Sequence, residues 1–104
     1  MKNLELNKAL DLHERWLNNK DDGVRANLAE ADLSRTYLAE ANLRKASLSA
    51  SNLYEANLYG ANLSEAELDE ANLCGADMRE ANLHWAILSE ANLYGVDMRG
   101  ADLY

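Results

Sequence analysis

The sequence predicts an all-β solenoid closed at its start by one α-helix. Three observations predict it: an unbroken five-residue repeat from Ala26 to Tyr104, a leucine at the third place of nearly every repeat, and one amphipathic stretch ahead of them. A period of five fits neither regular element. On an α-helix a step of five turns by about 140°, at roughly 100° per residue, which spreads the leucines around the cylinder. On one continuous strand an odd step sends alternate leucines to opposite faces. They share a single interior only where the chain turns a corner in every pentad.

Residues 1–25 form the first unit, an amphipathic helix and its linker. Leu6, Ala9, Leu10, His13, Trp16 and Leu17 recur at three- and four-residue spacing and predict a helix over 4–18, with Lys8, Asp11, Glu14 and Arg15 away from the stripe. Asn3 is the expected N-cap, and the polar run 18–23, closed by Gly23, ends the segment. A helix of this length is marginal by itself. Its stripe therefore packs on the first coil, with Leu6, Leu10, His13, Trp16 and Leu17 as the capping residues. His13 has Leu17, not a second ligand, four places on. It reads as a cap histidine bonded to a backbone group of the open coil.

Residues 26–104 form the second unit. Each pentad holds a small residue, a polar residue, a leucine and two variable residues. The third position is Leu28, Leu33, Leu38, Leu43, Leu48, Leu53, Leu58, Leu63, Leu68, Leu73, Met78, Leu83, Leu88, Leu93, Met98 and Leu103, which make the expected core. The first position is alanine except at Thr36, Ser51 and Val96, because a second inward residue has little room beside a leucine.

This tandem Ala-Asn/Asp-Leu-x-x pattern resembles the pentapeptide-repeat family. The run Leu10-Asp11-Leu12-His13-Glu14-Arg15-Trp16-Leu17 is similar to the helix with which its members often open. The resemblance implies a right-handed quadrilateral parallel β-helix of about four coils, in which residue n stacks above residue n+20. In that frame Asn42, Asn62, Asn82 and Asp102 form one polar column and Asp32, Asn52, Asn72 and Asn92 another. They are expected to hydrogen-bond along ladders and to support the corners. Gly60, Gly75, Gly95 and Gly100 share the fifth position and mark corners where a positive φ is wanted, as in type II turns. Thr36, Met78, Val96 and Met98 fall on one side, with Tyr37 outside it, and make that side irregular.

The net charge is −8, and all of it lies on 26–104, since residues 1–25 are balanced. Such an acidic surface argues against direct contact with nucleic acid or an anionic membrane, whose phosphates need a basic footprint. It also keeps rods apart in solution. Cys74 is the single cysteine, so no internal disulfide forms, and an outward thiol suits a reducing cytoplasm. The opening residues carry no unbroken apolar run, so no signal peptide is expected, and no stretch approaches the ~20 apolar residues of a membrane span.

No catalytic constellation stands out. The carboxylates follow the repeat, His13 and His84 are far apart, and neither a metal-ligand spacing nor a glycine-rich phosphate loop is present. With leucine filling the interior, no cofactor is expected. Two outward features exceed the background. Glu30, Glu70 and Glu90 share a column, with Glu67 and Asp69 beside them, and make an acidic strip. Trp85, Ile87, Tyr94, Val96 and Tyr104 put apolar bulk in and near the last coil and make a candidate interface. Leu88, Leu93, Met98 and Leu103 lie at an open parallel edge, which calls for an end-to-end homodimer or for further chain.

The expected function is therefore a non-catalytic interaction module that presents rigid acidic faces to a protein partner or to itself. The resemblance also implies an alternative, because some pentapeptide-repeat proteins mimic duplex DNA and bind DNA gyrase. Four coils at ~4.8 Å give a rod of about 19 Å, over which DNA carries roughly 11 charges. Those mimics are usually longer and often place phenylalanine in the core, and this chain has no Phe.

Overall fold

The computed structural model describes residues 3–104: one helix, then a chain that turns every five residues. Helix α1 spans Asn3–Leu17, so Asn3 is itself helical and is not a cap. Glu5 in the first turn and Arg15 in the last complement the helix dipole. The helix ends at Asn19, not at Gly23. Asn19 has a φ of 60°, its N–H bonds the Trp16 carbonyl at 3.1 Å, and the Lys20 N–H bonds the Arg15 carbonyl at 2.9 Å. These paired bonds are a Schellman closure with asparagine in the left-handed place. Gly23 serves a different need. A Cβ there would run into the backbone of Trp16, and the Val24 N–H reaches the Leu12 carbonyl at 2.9 Å as the chain folds back along α1.

From Ala26 onward each second residue pairs in parallel with the residue twenty places on, from Asn27 with Ser47 to Asn82 with Asp102. Each bridge is one residue long, and the described residues hold no longer strand. Turns occupy the fourth and fifth places, closed by bonds such as Ala31 N–H to the Leu28 carbonyl at 3.1 Å. Four such turns fit into each twenty-residue step, so the leucines face one interior. The register n to n+20 holds on all four columns.

Two devices make the corners. Every fifth residue from Glu30 to Gly100 has a positive φ, from 52° at Glu55 to 75° at Gly100, the mark of a type II turn. Most of these residues are not glycine, so the left-handed conformation alone does not explain where glycine falls. Crowding from the preceding coil accounts for Gly60, Gly75 and Gly100, while a Cβ at Gly95 would make only ordinary contact with Gly75. Glu40 Cγ lies 3.2 Å from where a Cβ of Gly60 would be, and the Glu80 carboxylate occupies the corresponding place over Gly100. The second device is the Asn or Asp at the second position. Its Oδ1 accepts the N–H two residues on, as at Asn62 to Ser64 (3.0 Å) and Asn82 to His84 (2.9 Å). The expected side-chain ladder is slight by comparison. Asn52 to Asp32 at 3.5 Å and Asn72 to Asn52 at 3.4 Å are its links, at the outer limit of a hydrogen bond.

The core is one column of side chains. Leu28 through Leu83 are buried at the third position, with Ala46, Ala56, Ala61, Ala66 and their equivalents between them. The last coil departs from the expected core. Leu88 and Met98 are only partly buried, and Leu93 and Leu103 are exposed, because no layer covers them. Cys74 is half-buried. Ser51, buried in the place of an alanine, makes no hydrogen bond through its hydroxyl.

At the opposite end α1 covers the first coil. Leu6 is buried, while Leu10, Trp16 and Leu17 are half-buried. His13 is fully buried and stacks on Trp16 at 5.6 Å. Its Nδ1 accepts the Ala26 N–H at 2.9 Å, so Nε2 carries the proton and donates to the Arg44 carbonyl at 2.7 Å. Burial holds its pKa below the ordinary histidine value, the Arg44 carbonyl works the other way, and the Arg25 charge adds to the depression.

Two outcomes follow from this packing. A second proton on His13 must go to Nδ1 and break the Ala26 bond. The unfolded chain therefore binds that proton more readily than the folded one, and stability falls as pH drops below about 6.5. Thermal melts at pH 7.5 and 5 will show this loss, and His13→Gln will reduce the difference while lowering the midpoint at both. Ser51→Ala removes an unsatisfied buried hydroxyl and is expected to stabilise by about 1 kcal/mol in urea unfolding. A loss of stability would mean that the hydroxyl has a partner.

Candidate interaction surface

The outer faces are rows of charge whose arginines are already matched. Arg35 pairs with Glu55 at 2.9 Å, Arg44 with Glu65 at 3.2 Å, and Arg25 reaches across two coils to Glu67 at 3.0 Å. On one face Arg79 holds Asp77 through two bonds of 2.8 and 2.7 Å, and Arg99 holds Asp97 through bonds of 2.9 and 2.6 Å. The Arg99 guanidinium, helped by its own backbone N–H, brings the Asp97 carboxyl down to about 2. Arg79 also lies over the Tyr59 ring at 5.3 Å. With these arginines matched, the acid excess is what the faces present.

The acidic strip is less continuous than its spacing implies. Glu30, Glu70 and Glu90 are exposed, but Ala50 interrupts them in the same corner column. Glu67 is paired with Arg25, and Asp69 accepts the Ser49 hydroxyl at 2.7 Å. Among the described residues no group of His, Cys, Asp and Glu could hold a metal ion. No helix among them is long and apolar enough to cross a membrane.

The apolar candidates divide. Trp85 is 72% exposed, and its neighbour His84 meets it edge-on at 5.5 Å while stacking on Tyr104 at 6.0 Å. Ile87 is exposed one pentad further, in the column where Ser47 and Glu67 also replace Asn or Asp. Tyr94 is exposed two corners away and takes no part in this cluster. Val96 points inward and packs against the core. His84 was not among the expected interface residues, because its place in the pentad is a variable one. Trp85 has a φ of 64°, an uncommon conformation for a bulky side chain.

Trp85 and Tyr104 stand at the rim of a concavity of about 420 Å³ at the C-terminal end, floored by Leu83 and walled by Leu88, Leu93, Met98 and Leu103. The candidate interface is thus an end of the molecule more than a side. It combines apolar bulk, aromatic edges and an unpaired backbone rim, which suits binding to another polypeptide.

Comparison with known proteins agrees with this architecture. The family model for pentapeptide repeats matches in eight copies over residues 26–65 and 66–103. The crystal structure of the pentapeptide repeat protein Rfr23 from the cyanobacterium Cyanothece 51142 is 33% identical, with a TM-score of 0.56 over 73% of this chain and 52% of that one. A pentapeptide repeat protein from Nostoc PCC 7120, alr5209, is also 33% identical, over 85% of this chain and 73% of that one, with a TM-score of 0.47. HetL from Nostoc sp. strain PCC 7120, a pentapeptide repeat protein involved in heterocyst differentiation regulation, is 32% identical over 78% of this chain and 59% of that one, with a TM-score of 0.36. No curated protein matches. The chain spans about half the length of Rfr23. With its repeats matched from Ala26 to Leu103, the chain belongs to the pentapeptide-repeat family.

Proposed function

We propose that this protein is a non-catalytic interaction module, a rigid right-handed quadrilateral β-helix that presents acidic faces and binds a protein partner through its C-terminal end. The observation that carries the reading is the cluster of Trp85, His84 and Tyr104 beside the open leucine layer, with Ile87 exposed one pentad further. The positive φ of Trp85 belongs to the corner, as at every fifth residue, but an indole 72% exposed there serves nothing in the interior. Aromatic residues are the side chains most enriched at binding hot spots. The acidic faces keep rods from associating side by side and leave the end as the sticky part.

Self-association through this end, the homodimer that the sequence leads one to expect, is one form of the proposal. The DNA-gyrase alternative gains no support of its own from the faces, where Ala50 breaks the acidic column and Arg25 neutralises Glu67.

Chemical cross-linking and affinity capture with the wild type and with a Trp85→Ala/Ile87→Asn double variant test the patch. Both side chains are largely exposed, so the variant is expected to keep its melting midpoint within a few degrees and to lose the captured partner by ten-fold or more. Equal recovery by both proteins would remove the patch from the binding surface.

A further inference from the structure

We infer that His13 is a proton-sensitive latch: a second proton on its ring releases α1 from the first coil and leaves the coils beyond it folded. The latch sits at the opposite end from Trp85 and Tyr104, and it stands or falls independently of the partner-binding reading.

The cap is tied to the solenoid by very little. Each pentad of the first three coils makes three backbone bonds to the next coil. Leu43 N–H to the Asn62 carbonyl (2.8 Å), Lys45 N–H to the Ser64 carbonyl (2.9 Å) and Asn62 N–H to the Ala41 carbonyl (2.9 Å) are one such set. Among the described residues no backbone–backbone bond joins α1 to the first coil. The bond from the Val24 N–H to the Leu12 carbonyl stays inside the capping unit, and so does the Arg15–Asp22 pair. Two hydrogen bonds cross the seam from the helix, and both belong to the His13 ring. Leu6, Ala9 and Leu10 supply the apolar contact beside it.

A neutral imidazole fits both bonds, because it carries one donor and one acceptor. The Ala26 N–H can only donate, so an imidazolium sets its Nδ1–H directly against it. The surroundings offer the added charge no partner. Arg25 faces the ring from the linker, and Arg44 lends its carbonyl from the first coil. These two guanidiniums are answered by Glu67 and Glu65. Lys45 of the first coil stands with Arg44 beside Trp16 at the end of α1. On the helix itself Asp11 and Glu14 are exposed and line the groove toward Glu40. None of these carboxylates reaches a ring nitrogen, since both are taken by backbone groups.

Stability in a solenoid is shared between neighbouring layers, so an end layer can open without the rest. Helix α1 has 15 residues and is marginal once undocked, so its release also melts it. Undocking bares the leucine layer of the first coil, Leu28, Leu33, Leu38 and Leu43, all of them now buried. The released ring takes a proton more readily than the docked one. Opening therefore rises as pH falls below about 6.5, by up to about ten-fold per pH unit, until the pH reaches the lower pKa of the buried ring.

Amide hydrogen exchange of the full chain, followed by NMR between pH 7.5 and 5 and corrected for intrinsic rates, tests the latch. Protection at Ala9, Leu10 and Leu12 is expected to fall about ten-fold or more over that range. Leu58 and Leu63 in the middle coils should stay about a hundred-fold better protected throughout. The Ala26 amide, which donates to the ring, should lose its protection in step with α1. His13→Gln keeps a donor and an acceptor but binds no proton, so α1 in this variant should lose its pH response. Equal protection of α1 and the middle coils at every pH overturns the inference, because the cap then opens only with the whole chain. So does an Ala26 amide that stays protected while α1 opens, a result that needs no variant. A pH response that survives in His13→Gln would assign it to another group and remove the latch as well.

Discussion

The structure depends on a corner that the chain must turn after every leucine. Without it, residues five apart cannot face one interior. The corner needs its fifth residue in the left-handed region, which costs a residue other than glycine roughly 1–2 kcal/mol. Glu, Arg, Lys, Ala and Trp all take that conformation here. What holds them is repetition. Each pentad forms three backbone bonds to the next coil, each worth about 1 kcal/mol net, and the Asn or Asp at its second position braces the turn. A single pentad could not sustain such a corner, but a stack can. Stability in this fold therefore belongs to neighbouring coils jointly.

Much of this was legible in the sequence, and the rest was hidden for identifiable reasons. The leucine column follows from an unbroken period, and the n+20 register from the resemblance to the pentapeptide-repeat family. The role of the second position was harder to read, because an asparagine column suits either a ladder or a turn. Geometry decides for the turn, since the local bonds run near 3 Å while the ladder links lie near 3.5 Å. The glycines do stand at left-handed corners as expected, but so do other residues. Positive φ is common to every corner, so it cannot select which corners are glycine. The carboxylate arms of Glu40 and Glu80 overhead can.

The end of the coil was hidden in a different way. Leu103 holds the same place in its pentad as Leu43, yet one is exposed and the other fully buried. A repeat looks identical in its middle and at its boundary, so pattern alone reports inward direction and not burial. The aromatic cluster had the same difficulty. Trp85 and Tyr94 both stand at outward places close in sequence, and only the coil geometry puts Tyr104 and His84 with the first and leaves the second alone. Variable positions carry the individuality of such a protein, and they are the positions about which a period says least.

The two ends of the molecule are chemically unlike, and the difference follows from one backbone pattern. At the start, carbonyls outnumber amides, and the residues found there are donors: His13 on the Arg44 carbonyl and Arg25 Nε on the Lys45 carbonyl at 2.6 Å. His13 also accepts from the Ala26 N–H, so one buried ring serves both kinds of edge group. At the far end amides outnumber carbonyls, and no side chain of the described residues is placed to accept from them. The faces between the ends carry the excess carboxylates, which disfavour lateral pairing of rods.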